Sequence, residues 1–309
     1  MSHAPVWVPD PGRLERAVSG FDPPPAAVRE VVACALAEDL LPLGDLTAGL
    51  LDPAAVGSGA MVARSAGVLA GSACAVETFA QLDPAVTVRF LLGDGSLLEA
   101  GTKVAEMCGP LPSVLSGERT ALNLLCHLSG VATLTRRFVE AVGGASTRVL
   151  DTRKTLPGLR ALQKAAVRAG GGHNHRGSLS DMVLVKDNHR AALGVAEAVA
   201  TARLRWPFRP VEVECDTLDQ VGEAVAAGAT AVLLDNMSPE EVRRCVELVG
   251  GRALTEASGG VTVDTVAAYA ATGVDFVSVG ALTMSAPSLD LALDLDGGAA
   301  LGVDPGRAG

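Results

Sequence analysis

Val211-Glu-Val-Glu-Cys-Asp-Thr-Leu-Asp-Gln-Val-Gly-Glu-Ala-Val-Ala-Ala-Gly-Ala-Thr-Ala-Val-Leu-Leu-Asp-Asn236 is the stretch on which the fold turns. Two short apolar runs, Val211-Glu-Val213 and Ala231-Val-Leu-Leu234, flank a helical pattern. Strand, helix and strand in that order imply a right-handed βαβ unit and a parallel sheet. Outward from it the same alternation recurs at Arg148-Val-Leu150, Met182-Val-Leu-Val185, Ala253-Leu-Thr255 and Phe276-Val-Ser-Val279. Six such strands in roughly 140 residues fall short of the eight strands and ~250 residues of a complete (β/α)8 barrel. The expected architecture is therefore α/β, with an incomplete parallel barrel over residues 144–287.

Upstream the character differs. Residues 1–25, punctuated by Pro and Asp, read as a loose arm. A helix is expected from Pro25 to Asp39, with Val28, Val31, Val32 and Ala35 on one face. The stretch to about Leu115 reads as short strands and turns: Met61-Val-Ala-Arg64, Gly67-Val-Leu-Ala70, Val86-Thr-Val-Arg-Phe90 and the turn Gly93-Asp-Gly95. A long helix follows from Ser116 to Val142, with Ser116-Gly-Glu-Arg119 as a loose cap and Gly143-Gly144 as its stop. After Pro287, Leu289-Asp-Leu-Ala-Leu-Asp-Leu295 alternates like a strand and is expected to return to the first domain. The organisation read here is an arm (1–25), a mixed α/β (α+β) domain with a linking helix (26–143 plus 288–309), and a barrel domain (144–287).

Of the 309 residues 49% are hydrophobic and only 3% aromatic, so the core is built from Ala, Val and Leu. A net charge of −10 argues against nucleic acid or an anionic membrane as a bulk partner. No run of about 18 apolar residues suggests a membrane span, and the N-terminus lacks a charged-then-apolar signal pattern. The six cysteines (34, 74, 108, 126, 215 and 245) are scattered, with no C-x-x-C pair. They read as reduced thiols of a cytoplasmic protein, not as a disulfide framework or zinc site.

In a parallel βα sheet, chemistry collects where strands end and loops begin. Those places hold Asp151-Thr-Arg-Lys154, Lys186-Asp-Asn188, Glu214, Asp235-Asn236, Glu256-Ala-Ser-Gly-Gly260 and Gly280-Ala281. Between Thr147 and Arg190 nine Lys or Arg residues face three Asp, a local balance of +6 in a protein that is otherwise acidic. One basic patch on an acidic chain points to a small, strongly anionic substrate. Arg153, Lys154, His175, Arg176 and Lys186 fall in loops or at strand ends, and an arginine fork suits carboxylate or phosphate. Arg160, Lys164 and Arg168 recur at i, i+4 and i+8 on a helix; Arg160 and Arg168 read as a solvated face, and Lys164 is evenly balanced. Backbone donors at Ser258, Gly259, Gly260, Gly280 and Ala281, after the last two strands, are placed to bind phosphate. Glu214 and Asp235 either pair with a nearby cation or hold ribose hydroxyls or Mg²⁺.

These segments resemble the quinolinate phosphoribosyltransferases. The match runs in order through Glu38-Asp-Leu40, Gly44-Asp-Leu-Thr47, Gly117-Glu-Arg-Thr-Ala-Leu-Asn123 and Leu128-Ser-Gly-Val-Ala-Thr-Leu134. It continues through Asp151-Thr-Arg-Lys-Thr-Leu-Pro-Gly-Leu-Arg160, Gly170-Gly-Gly-His-Asn-His-Arg176, Leu179-Ser-Asp181 and Val185-Lys-Asp-Asn-His189. Glu212-Val-Glu214, Leu233-Leu-Asp-Asn236, Glu256-Ala-Ser-Gly-Gly260 and Val279-Gly-Ala-Leu282 complete it. His173, Met284 and Gly177-Ser178 depart from the family's usual pattern. The resemblance implies an N-terminal α/β sandwich followed by an incomplete α/β barrel, assembled as a homodimer. It implies that Arg153, His175, Arg176 and Lys186 hold the two carboxylates of quinolinate, with Arg119 reaching into the neighbouring subunit's site. Lys154, Glu214 and Asp235 would engage phosphoribosyl pyrophosphate and its Mg²⁺, and the Ser258–Gly260 and Gly280–Ala281 segments would cradle phosphate. No organic cofactor is implied. The catalytic set is then Lys154, Lys186, Glu214 and Asp235. Two rivals stand beside this reading: a paralogue of the molybdenum-transport-associated type with another acceptor, and a Schiff-base lyase or aldolase using Lys186 as nucleophile.

Overall fold

The computed structural model describes residues 20–296. The expected arm lies, up to residue 19, outside the described residues, as do residues 297–309. In chain order the strands are β1 (Val56–Ala63), β2 (Gly67–Val68), β3 (Thr87–Phe90), β4 (Leu97–Leu98), β5 (Lys103–Pro110), β6 (Arg148–Leu150), β7 (Val183–Val185), β8 (Val211–Cys215), β9 (Ala231–Asp235), β10 (Leu254–Ser258), β11 (Phe276–Ser278) and β12 (Leu291–Leu295). The helices are α1 (Pro25–Leu40), α2 (Ser72–Leu82), α3 (Leu111–Val142), α4 (Arg160–Ala169), α5 (Asp187–Leu193), α6 (Val195–Arg205), α7 (Leu218–Ala226), α8 (Pro239–Val249), α9 (Val266–Ala270) and α10 (Ala281–Met284).

Two compact units result among the described residues, 20–130 with 288–296, and 131–287. The division falls inside α3, not at its Gly143 end where the sequence suggested it. Its second half belongs with the later unit because Gly170 and Gly172 lie tight against Ala132 and Thr135.

The first unit carries a four-stranded antiparallel sheet in the order β12-β1-β5-β3. Strand periodicity sends Met61 and Ala63 of β1, Ala105 and Met107 of β5, and Leu291 of β12 to one buried face. Ala75 and Phe79 of α2, with Val114, Ala121, Leu122 and Leu125 of α3, complete that core. Helix α2 was read from the sequence only as turn and strand. Its start is capped from a distance: the Asp94 carboxylate accepts from the Gly71 and Ser72 amides at 2.9 and 3.2 Å. No local pattern announces such a cap. Helix α3 begins at Leu111, five residues before the expected Ser116, because β5 runs directly into it. Ser116, expected as the cap, instead donates to Asp45 at 2.9 Å.

The second unit is a six-stranded, all-parallel sheet in the order β6-β11-β10-β9-β8-β7. The chain adds β7 to β11 one after another, and β6 joins beside β11. The sheet is thus open between β6 and β7, the incomplete α/β barrel expected. Each strand is followed by a helix, as parallel crossovers require. Residues 211, 213 and 215 of β8 and 232 and 234 of β9 are sealed under those helices. Their alternates, Glu212, Glu214, Leu233 and Asp235, therefore face the opposite side of the sheet.

Candidate active site

At the C-terminal ends of these strands lies a cavity of about 610 Å³. Its floor carries Leu184, Leu233, Glu256 and Ser278; its rim carries Arg153, Lys154, Arg176, Lys186, Glu214 and Asp235. A cavity of similar size, about 570 Å³, sits on the antiparallel sheet of the first unit. There Arg89 is paired with Glu106 across β3 and β5, and no comparable convergence of cations occurs.

Period-2 geometry explains the rim. Lys186 follows β7, Glu214 lies within β8 and Asp235 ends β9, so neighbouring strands deliver them side by side. Lys186 donates to Glu214. Burial raises the Asp235 carboxyl above the usual range, and the charge of Glu214 raises it further. Two carboxylates crowded together beside a lysine form a hard oxygen donor set that fits Mg²⁺. Asn236, at φ 55°, turns back so that its amide bonds the Ser258 carbonyl at 2.8 Å. Gly259 answers it at φ 93°, where a Cβ would come within 2.2 Å of Asn236 Oδ1. Only glycine fits there, which ties the β9 and β10 loops into one turn-rich rim.

Of the residues expected at phosphate, Ser258, Gly259 and Gly260 line the cavity. Gly280 and Ala281 do not, but Gly280 supports Lys154: a Cβ there would meet Lys154 Cδ at 2.8 Å. The Lys154 carbonyl in turn accepts from the Thr283 hydroxyl.

Arg153 and Arg176 form the basic side. Arg176 donates to the Met182 carbonyl at 3.3 Å, and burial, then the neighbouring Arg153, hold its guanidinium below the usual range. Among the described residues Arg153 Nε is buried without a hydrogen-bond partner. Two like charges, one incompletely satisfied, are arranged to receive an anion.

His175 sits between two buried glutamates, with Nε2 3.1 Å from Glu212 and 3.3 Å from Glu256. Burial pulls its pKa down, but the two carboxylates outweigh it and push it up to about 10. The Arg176 amide, 2.7 Å from Nδ1, pulls the other way, since it is accepted only by the neutral ring. Burial also raises the Glu212 carboxyl, against the pull of His175.

The basic helix face behaves differently from expectation. Lys164 is 8% exposed and ion-paired with Asp151, which is fully buried. Burial lowers the lysine and raises the aspartate, so desolvation outweighs their attraction in both. Arg160 and Arg168, expected as a solvated face, are half-buried: they donate to the Gly177 carbonyl (3.0 Å) and Asn174 Oδ1 (2.6 Å). All three are turned inward because the loop 170–181 folds over α4. Arg119, by contrast, belongs to the first unit, on α3. Its side chain is 75% exposed, 3.5 Å from Glu118, and is not among those lining the cavity.

Glu212 and Ser278 were given no role from the sequence; Asp151 and Glu256 were read only as members of strand-end clusters, and Lys164 as evenly balanced. For Glu212 and Glu256 a signal existed, since each lies two residues before a chosen position on the same strand face. That Asp151 and Lys164 pair with each other, meeting only after folding, had no local signal.

The family description "Quinolinate phosphoribosyl transferase" matches the chain twice, its C-terminal domain over residues 131–294 and its N-terminal domain over 45–129. The nicotinate-nucleotide pyrophosphorylase [carboxylating] of Mycobacterium leprae is 44% identical over 276 residues, covering 87% of this chain and 97% of that protein. The quinolinate phosphoribosyltransferase [decarboxylating] 2b, mitochondrial, of Nicotiana tabacum is 38% identical, covering 87% and 82%. The solved nicotinate-nucleotide pyrophosphorylase of Francisella tularensis superposes with a TM-score of 0.87 at 39% identity, covering 91% of this chain and all of that one.

Proposed function

The chain belongs to the quinolinate phosphoribosyltransferase family, and we propose that the cavity at the mouth of its open barrel is where it works. The enzyme transfers the phosphoribosyl group of phosphoribosyl pyrophosphate to quinolinate, with loss of carbon dioxide, giving nicotinate mononucleotide and pyrophosphate. The convergence of Arg153 and Arg176, with Arg153 Nε unpartnered, carries the placement. Such a pair answers the two adjacent carboxylates of quinolinate. His175 and Lys186 border the same space.

The roles follow from position. Lys154 and the Ser258–Gly260 loop receive the phosphates, with Gly280 and Ala281 backing them. Glu214 and Asp235 hold the ribose hydroxyls and would hold Mg²⁺, which when bound screens the charge of the departing pyrophosphate. The acceptor's ring nitrogen bonds to the anomeric carbon as the bond to pyrophosphate breaks. That nitrogen has no proton to lose, so orientation and charge complementarity supply most of the catalysis. The pyridinium then takes up the electron pair of the bond to the adjacent carboxylate, carbon dioxide leaves, and the ring carbon accepts a proton. Lys186 is engaged by Glu214, an arrangement that suits an electrostatic role better than a Schiff base.

Arg119, exposed on α3, is assigned to the cavity of the neighbouring subunit in a homodimer. Among the described residues no helix is long and apolar enough to cross a membrane. With cysteines spaced as reduced thiols, we place the enzyme in the cytoplasm. The test of the whole reading is product formation from quinolinate, phosphoribosyl pyrophosphate and Mg²⁺, with nicotinate in parallel. Nicotinate mononucleotide and carbon dioxide from quinolinate alone support it; no turnover by folded protein would sink it. For Arg119, dimers mixed from Arg119→Ala and Arg153→Ala chains should regain activity that neither parent has.

A further inference from the structure

We infer that Asp151 and Lys164 are positioning residues for acceptor recognition: their buried pair fixes the backbone of His175 and thereby aims Arg176. The inference rests on the placement of the acceptor beside Arg153 and Arg176. Neither Asp151 nor Lys164 lines the cavity. Yet both main-chain polar groups of His175 end on them. The His175 amide donates to Asp151 Oδ1 at 2.9 Å, and Lys164 Nζ donates to the His175 carbonyl at 2.8 Å. The preceding residue is held by the same two groups. Asn174 Nδ2 donates to Asp151 Oδ2 at 2.6 Å and to the Lys164 carbonyl at 2.9 Å. From the far side Glu212 and Glu256 grip the His175 ring at Nε2, 3.1 and 3.3 Å away. Arg176 thus follows a residue fixed at its amide, its carbonyl and its ring Nε2.

A buried ion pair is an inefficient way to stabilise a fold, since apolar residues of the same size often do as well or better. Its value here is geometric. The loop 170–181 has one isolated bridge, between Leu150 and His173, to tie it to the sheet. A guanidinium displaced by about 1 Å from its carboxylate can cost ~100-fold in rate. The pair supplies the missing restraint just where the chain turns into the cavity.

Two double variants isolate this role. Asp151→Asn/Lys164→Met removes both charges and the donor to the His175 carbonyl. Asp151→Asn/Lys164→Gln also removes the charges but keeps a donor. With the Met pair the quinolinate KM should rise roughly tenfold while that for phosphoribosyl pyrophosphate stays within about twofold. The Gln pair should remain within about threefold of wild type for both. In an Arg176→Ala background the two pairs should be indistinguishable. A Met pair with normal quinolinate KM, or an equal loss for both substrates, overturns the assignment, as does a Met–Gln difference that persists without Arg176. Thermal melting checks that each variant is folded. If the Met pair is not, Asn174→Ala, which removes the adjoining contacts to the same two residues, takes its place: a rise in KM confined to quinolinate supports the role, and an unchanged or equal KM for both substrates ends it. Failure of the underlying placement shows separately, as an unchanged quinolinate KM in Arg153→Ala and Arg176→Ala.

Discussion

Lys164 Nζ donates to the main-chain carbonyl of His175 across 2.8 Å, from the middle of α4 into the loop that carries Arg176. The same ammonium is paired with Asp151, and neither side chain has appreciable access to solvent. Truncating Lys164 alone therefore leaves a buried carboxylate without its counter-ion.

Removing one partner of such a pair costs about 3–5 kcal/mol. Lys164→Ala should lower the thermal midpoint by roughly 5–15 °C. A drop of less than about 2 °C in a calorimetric scan would show that water reaches Asp151 and that the pair is not sealed.

Arg153→Ala should leave the melting curve unchanged and cut kcat/KM for quinolinate about 10- to 100-fold, the effect of roughly 1.5–3 kcal/mol in a charge-assisted contact. Nicotinate, which lacks one carboxylate, leaves one cation unanswered and should be a poor acceptor by a similar factor. Steady-state kinetics with both acids checks this. Comparable use of the two would mean that the Arg153–Arg176 side does not read the second carboxylate.

His175 couples stability to pH. The folded-state pKa is raised from 6.5 to about 10 by Glu212 and Glu256. The stabilisation is therefore full below pH 6.5 and is lost as pH rises through about 10. The Arg176 amide, which the neutral ring can accept, limits the loss to about 1–2 kcal/mol. The thermal midpoint should fall between pH 7 and pH 10, and fall less in Glu256→Gln. Identical pH dependence in the two proteins would remove the carboxylates as the cause.

The thiols should react in order of exposure. Cys34 is exposed, whereas Cys74, Cys215 and Cys245 are buried, and burial pushes the Cys215 thiol up to about 12. A native protein treated with a disulfide reagent at neutral pH should show one fast thiol, lost in Cys34→Ser. Rapid reaction of Cys215 would mean that the back of β8 opens to solvent.

The strands of the barrel were legible because apolar runs, polar strand ends and intervening helical periods coincide in every repeat from Arg148 to Ser278. Each of the six expected strands is present within three residues at its ends, the largest difference being β10, which runs on to Ser258. The rim could be read for the same reason, since Lys186, Glu214 and Asp235 occupy equivalent places on adjacent strands. Helix α2 could not, because the groups that start it come from Asp94, on the far side of a turn. Lys164 was left evenly balanced, because a lysine between Gln163 and Ala165 on a helix shows no partner until Asp151 arrives from a separate strand to meet it.

Strand β12 has a consequence for how the protein is made. Its pairing with β1 joins Ser58 to Asp296, whose side chains are 2.6 Å apart but 238 positions apart in sequence. A ribosome therefore completes the whole barrel before the first sheet can receive its last strand. Until then the free edge of β1 is a template for any extended segment nearby. A chain stopped at Pro287 would keep every residue lining the barrel-mouth cavity and still be born with an unfinished sheet, prone to pairing with its own kind before it is ever tested for activity.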